Sequence, residues 1–376
     1  GLIEDLAAQA ALPPPGRADF SSKTRHTRRY VLRTELLLEG ELGRALQPIR
    51  GLALANAVFA ALECGLLEVL HRGAAETDNL AASLQLHPQR LQSLIDYLAN
   101  EGVVERGTPP NCISLTKYGQ SFLRARPWYE LLVGGYANTF SQLRDALKPN
   151  APYADRDGAY VATGSCGISQ HDALPMVLEL LADIPSPPVL VDLGCGDGTF
   201  IAEIAKACPS VSCIGIEPDA GARDIALQRA RGFGLTNLRV LPGEAMHLPP
   251  ELDSLPPDTA FLTAFVLQEL LEQSGESEIV ALLDQTFTNH PEASWLVVEV
   301  DRRDSLSDLP SPLALSYYNP YYLLHGITQQ RLIPMSAWKN IYEKAGVDLV
   351  AESRPDPQYD SLGLKVGHLL QRKSHT

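Results

Sequence analysis

Ten residues constrain this chain more than any others: Val189-Leu-Val-Asp-Leu-Gly-Cys-Gly-Asp-Gly198. An apolar run passes straight into three glycines spaced two apart, and a helix is expected from about Thr199. Glycine adopts left-handed torsions at no steric cost and lets the backbone lie against a ligand. The run therefore reads as the first βα turn of an open, doubly wound α/β sheet. About one βα unit later, Cys213-Ile-Gly-Ile-Glu217-Pro-Asp219 ends a second apolar run in a carboxylate. A glycine turn and an acid at adjacent strand tips are how such sheets hold an adenosine, the acid accepting the ribose hydroxyls.

The glycine spacing narrows the choice of nucleotide. A dinucleotide turn needs G-x-G-x-x-G, and here the third glycine, Gly198, comes one residue early. A phosphate loop needs G-x-x-x-x-G-K-[ST], and no lysine follows. Two later strand ends complete a pattern. Gly243-Glu244-Ala245 follows the run 238–241, and Thr263-Ala264-Phe265 closes the run that begins near 259. Together these four strand ends resemble the class I S-adenosylmethionine-dependent methyltransferases. The resemblance implies S-adenosylmethionine as cofactor. Asp192 would orient the turn, with Gly194 and Gly196 against the methionine part. Glu217 would take the ribose, Glu244 and Ala245 the adenine side, and Thr263 the end of the fourth strand.

The chain carries a formal charge of −14 over 376 residues, which argues against a polyanionic nucleic-acid substrate. Its one basic run, Lys23 to Arg33, is short and terminal. No uncharged apolar stretch reaches the ~18 residues of a membrane span, and the N-terminus has no signal-peptide pattern. Six cysteines without short paired spacing fit a reduced, cytoplasmic protein better than a disulfide or zinc framework.

Two domains are expected, 1–150 and 151–376. The first 20 residues form an Ala- and Pro-rich lead-in. Leu52, Ala55, Val58, Phe59, Leu62 and Leu66 then recur at helical spacing. Short helices over 77–84 and 88–100 precede a hairpin formed by 102–106 and 112–116, a winged-helix order. The helix over 77–84 has no Arg or Lys and that over 88–100 only Arg90, so a DNA-reading role is a poor fit. The segment resembles the dimerisation domain of small-molecule O-methyltransferases, which implies a homodimer. Beyond 170, strands are expected near 189–193, 211–217, 238–242, 259–266, 294–300, 347–353 and 363–371. They make a seven-stranded Rossmann-like sheet with a terminal hairpin.

Two stretches bear on the methyl acceptor. Leaving the fourth strand, Phe265-Val-Leu-Gln268-Glu269 puts an amide where the O-methyltransferase families have a histidine base. An amide has no useful basicity, so that general-base mechanism is closed at this position. Further on, Tyr317-Tyr318-Asn-Pro-Tyr321-Tyr322-Leu-Leu-His325 combines aromatic bulk with one histidine. Together the two stretches resemble the metal-dependent C-methyltransferases of α-keto acids found in natural-product pathways. The resemblance implies one metal ion, iron or zinc, held by Gln268, Glu269 and His325, with Glu269 and His325 central to catalysis. It also implies methylation of the β-carbon of a keto acid chelated to that ion, a Lewis-acid role.

Other roles stay open to these residues. Glu269 also suits a helix N-terminus and His325 a hydrogen-bonded loop. Arg156, with Arg144 as competitor, would bind the substrate carboxylate. Trp128 and Tyr129 are candidate pocket walls, and His171 is a candidate base. Aromatic and aliphatic residues over 313–325 point to an aliphatic or aromatic keto acid. The alternative is a small-molecule O-methyltransferase using His325 or His171 as base.

Overall fold

In the computed structural model the described residues are 38–373, without 186, 253 and 308. The lead-in and the basic run Lys23 to Arg33 lie outside them. The chain divides into a unit of residues 1–56 and a unit of residues 57–376, and the site discussed below lies wholly within the second.

The first described element is helical from Leu38 to Glu63. By length and composition it could cross a membrane, an exception to the expectation that no segment could. Leu38, Leu42, Leu46, Ile49 and Leu52 recur every three or four residues and are all exposed. They form one exposed apolar stripe along the helix.

Next come helices Leu66–Arg72, Thr77–Ser83 and Pro88–Asn100, then the antiparallel pair Val104–Arg106 and Cys112–Leu115. Ala75–Glu76 adds a short third strand. Helix Pro88–Asn100 starts on a proline, whose fixed φ suits a first turn, and buries Leu91, Ile95 and Leu98 on one stripe. The winged-helix order is therefore present as read.

The large sheet has strands β1 (Val189–Leu193), β2 (Ser212–Glu217), β3 (Leu238–Pro242), β4 (Ala260–Ala264), β5 (Ser294–Val300), β6 (Val347–Ser353) and β7 (Lys365–Arg372). Their order is β3-β2-β1-β4-β5-β7-β6, parallel except for β7, which runs antiparallel between β5 and β6. Both faces are covered, so the strands read as continuous apolar runs rather than alternating ones. Val191, Leu193, Ile214, Ile216, Phe261 and Trp295 enter one core. Their neighbours Leu190, Cys213, Ala260, Leu262 and Leu296 enter the other. The strand order reverses at β1 and β4, which makes the carboxyl ends of these strands the ligand crevice.

A third apolar cluster roofs that crevice, with Leu131, Tyr136, Ile168, Tyr317, Tyr318, Tyr321 and Leu324 buried in it. The aromatic stretch after β5 forms a wide π turn, Ala314–Tyr318, that runs into helix Asn319–Ile327. The opposite wall is helix Gly158–Ser169, packed on the π turn Glu130–Gly134. A Cβ on Gly164 would come within 2.4 Å of the Leu131 nitrogen, so the two segments approach this closely only because Gly164 has none.

Candidate active site

A cavity of about 1430 Å³ opens at the strand ends of β1, β2 and β4. That exceeds the ~300–1,000 Å³ of a single-ligand pocket and leaves room for a cofactor beside a substrate.

At one end lies the glycine turn. Gly194, Gly196 and Gly198 have φ of 82°, 57° and 73°, which side chains rarely adopt. A Cβ on Gly198 would also meet Ala226 at 2.6 Å, whereas one on Gly196 would meet nothing within 4 Å, because Gly196 faces the cavity. The Gly196 amide donates to Glu217 Oε2 at 3.0 Å, tying the turn to the tip of β2. The Asp219 amide donates to Glu217 Oε1 at 2.9 Å. Asp197 Oδ1 accepts the Thr199 amide at 3.0 Å at the start of helix Thr199–Ala207, and Asp197 pairs with Arg229 at 2.8 Å. Asp192 is buried beneath the turn, and desolvation, aided by the nearby Glu217 charge, pushes its carboxyl up to about 7. Cys195 packs over Gly215, where a Cβ would meet its sulfur at 2.5 Å, and burial raises its thiol. It is a packing residue.

Asp192, Gly194, Gly196, Glu217, Glu244 and Ala245 all line this cavity. Thr263 does not. It is fully buried, and its hydroxyl accepts the Trp295 indole N–H at 3.1 Å. Strand alternation turns Thr263 into the core, while Ala264 and Phe265 reach the cavity. Phe265 also has φ of +61°, which ends β4 at Ala264, short of the expected 266.

The other end holds the second group of expected residues. Gln268, Glu269, His325 and Arg156 all line the cavity. Helix Leu267–Gln273 carries Gln268 and Glu269, and the backbone N–H of Gln268 donates to Glu299 Oε1 at the end of β5. Gln268 is 1% exposed, and its Oε1 has no hydrogen-bond partner. Glu269 Oε1 is shared by Arg156 at 2.5 Å and Gln330 at 2.7 Å. His325 Nδ1 lies 2.8 Å from the Tyr321 carbonyl, which makes Nδ1 the donor and leaves Nε2 a lone pair. Burial brings the His325 pKa down to about 3, so the imidazole is neutral.

An orphaned amide oxygen, a neutral imidazole nitrogen and a carboxylate are donors a divalent cation accepts, and in this sense the residues fit a metal ion. Among the described residues no group of three or more His, Cys, Asp or Glu side chains is placed to hold one. This candidate set depends on the amide of Gln268.

Arg144 is exposed on helix Ala137–Ala146 and outside the cavity lining, so of the two candidates Arg156 is the one that lines it. Arg229 also lines the cavity, at the glycine-turn end, where it pairs with Asp197. His171 is also exposed and outside it, stacked on Tyr359 with ring centroids 5.2 Å apart. Trp128 packs edge-on behind Tyr317, and Tyr129 packs against Phe122, so neither is a wall. Tyr136, Gln330 and Lys365 line the cavity without having been singled out in the sequence. A lysine opening a strand whose first six residues are all buried is what marks Lys365, and burial is not written in the sequence.

Residues 46–125 match the family model "O-methyltransferase dimerisation domain" and residues 186–258 match "Putative methyltransferase". The 2-ketoarginine methyltransferase of Streptomyces arginensis is 41% identical over 338 residues, covering 89% of this chain and 97% of that protein. The chain belongs to the S-adenosylmethionine-dependent methyltransferases of class I. Among solved structures of this methyltransferase fold, the mitomycin 7-O-methyltransferase MmcR is similar at TM-score 0.64 and 17% identity, covering 91% of this chain and 99% of that one. The O-methyltransferase NcsB1 from neocarzinostatin biosynthesis, in complex with S-adenosyl-L-homocysteine and 1,4-dihydroxy-2-naphthoic acid, is similar at TM-score 0.59 and 16% identity. It covers 87% of this chain and 98% of that one. At these identities the two structures establish the shared fold. The chain is an enzyme that uses S-adenosylmethionine.

Proposed function

We propose that this methyltransferase transfers a methyl group to the β-carbon of an α-keto acid, with Gln268, Glu269 and His325 holding one iron or zinc ion. The observation that carries the reading is the end of the cavity after β4. Gln268, buried and with an unpaired carbonyl oxygen, occupies the position of a base, beside Glu269 and a neutral His325. The identity to a 2-ketoarginine methyltransferase supports a keto-acid substrate.

The residues divide the work. The glycine turn, Asp192 and Glu217 hold the cofactor, with Glu244 and Ala245 on its adenine side. Arg156 takes the substrate carboxylate, exchanging part of its pairing with Glu269 for the incoming anion. When bound, the ion acts as a Lewis acid that stabilises negative charge developing at the ketone oxygen. Tyr321, Tyr317 and Phe265 exclude water from the carbon to be methylated. In the transfer the β-carbon gives its proton to the Glu269 carboxylate, which passes it to solvent, the sulfonium S–CH₃ bond breaks, and the new C–C bond forms. The N-terminal part, which we place at 1–150, pairs with a second copy through its apolar stripe to form a homodimer. Six free thiols suit a reducing compartment, and we place the enzyme in the cytoplasm.

The test is methyl transfer to a panel of α-keto acids with and without chelator, with the product read by mass and methyl position. The expected result is a carbon-methylated product lost with chelator and restored by metal. Glu269→Ala and His325→Ala should each lower turnover at least ~100-fold, in line with loss of an essential ligand. Chelator-insensitive methylation of a hydroxyl would instead favour the O-methyl alternative. That alternative retains only His325 as base, because His171 lies outside the cavity.

A further inference from the structure

The cavity wall holds a cation that none of these roles uses. Lys365, the first residue of β7, lines the cavity, yet its side chain is only 4% exposed. Its ammonium hydrogen-bonds Asp172 Oδ2. An ammonium has three N–H donors, and this is the one hydrogen bond it makes among the described residues. It also lies 5.8 Å from the Phe265 ring centroid and 5.7 Å from that of Tyr317, within cation–π range.

A purely structural pair so deeply buried would add little stability, because desolvation offsets its Coulomb attraction. Asp172 has a second source of stabilisation. It caps helix Ala173–Ala182, its Oδ1 accepting the Ala173 amide at 2.5 Å, where the helix dipole favours a negative charge. The Lys365 charge is thus only partly spoken for, and it is Lys365, not Asp172, that faces the cavity.

An aromatic row links Lys365 to the reaction end. The Tyr321 and His325 rings lie tilted against each other with centroids 3.7 Å apart, and Tyr317 follows Tyr321 at 5.6 Å. Lys365 lies against the Tyr317 ring. A substrate side chain leaving the keto carbon near His325 and running along Tyr321 and Tyr317 ends at an ammonium with free donors.

We propose that Lys365 determines specificity by binding a carboxylate at the far end of the substrate's side chain, so that the substrate is a dicarboxylic α-keto acid. This rests on the α-keto acid reading above. Arg156 and Lys365 then hold the two anionic ends of one molecule. A keto acid with a cationic side chain meets the ammonium first and is disfavoured. The aliphatic or aromatic side chain expected from residues 313–325 is replaced by one with an apolar middle and an anionic end.

The test compares 2-oxoglutarate and 2-oxoadipate with 2-oxohexanoate, phenylpyruvate and the keto acid of arginine in wild type, Lys365→Met and Lys365→Arg. Wild type should favour a dicarboxylate by about 10- to 100-fold in kcat/KM, the range of one charged hydrogen-bonding contact. Lys365→Met should abolish that preference mainly through KM while leaving 2-oxohexanoate unchanged, and Lys365→Arg should restore part of it. Equal losses on every substrate, or a wild type that prefers neutral or guanidino keto acids, would overturn the proposal and leave keto-acid methylation standing. If no keto acid is methylated, that broader reading fails instead. Calorimetric binding of 2-oxoglutarate to the S-adenosylhomocysteine complex, wild type against Lys365→Met, then still decides the role of Lys365. If Lys365→Met does not fold, the wild-type preference between 2-oxoadipate and 2-oxohexanoate decides it alone.

Discussion

At the scale of single residues, chemistry here follows burial. Asp192 interrupts an apolar strand, and burial near Glu217 pushes its carboxyl up to about 7 rather than leaving it a ready anion. A raised folded pKa means stability is greatest below the unfolded value of ~3.9 and declines as pH rises towards 7, because only the unfolded chain ionises in that window. A cofactor bringing positive charge to Asp192 favours the carboxylate and so drives a proton off. S-adenosylmethionine should therefore bind more tightly as pH rises from 6 to 8, approaching tenfold per unit below the pKa. Calorimetry at a series of pH values checks this, and Asp192→Asn should flatten the dependence. Asp192 could be picked out in the sequence because its neighbours in the chain define its role. Arg156 could not be separated from Arg144, because its partner Glu269 lies 113 positions away. Lys365 escaped for the same reason, its partner Asp172 being 193 positions distant.

At the scale of elements, strand limits followed local pattern closely. β1, β3, β5 and β6 begin and end where their apolar runs do. Where an end differs there is a local cause, as with Phe265, whose positive φ stops β4 early. The π turns at Glu130–Gly134 and Ala314–Tyr318 had no sequence signature, since they depend on what packs against them. The contact between helix Gly158–Ser169 and the first of these turns depends on Gly164. Gly164→Ala places a methyl group against the Leu131 backbone and should cost about 1–3 kcal/mol by overpacking. Thermal unfolding would show it as a lowered Tm, with Gly158→Ala, where a Cβ meets nothing within 4 Å, as a near-neutral control.

At the scale of the whole molecule, the described residues carry an exposed apolar stripe over 38–52. Ile49 and Leu52 are 62% and 65% exposed, and the matched dimerisation domain begins among these residues. An exposed apolar stripe of this length marks an interaction surface. Light scattering should report a dimer for the wild type. Ile49→Glu combined with Leu52→Glu should shift it to monomer, with S-adenosylhomocysteine binding retained because the cofactor cavity lies in the unit beginning at Ala57.

The sequence by itself determined the fold class, the limits of four of the seven strands, and the glycine turn and strand-tip acid that line one end of the cavity. Apolar periodicity, glycine torsions and an acid at a strand tip act over a few residues, and those residues are neighbours in the chain. Only the tertiary structure decided which side chains meet in the cavity. It turned Thr263 into the core, set His171 and Arg144 outside, joined Arg156 to Glu269, and brought Lys365 into the cavity wall against Asp172. Each of these outcomes depends on strand alternation or on residues far apart in the chain, and local pattern carries no record of which distant partner will be there.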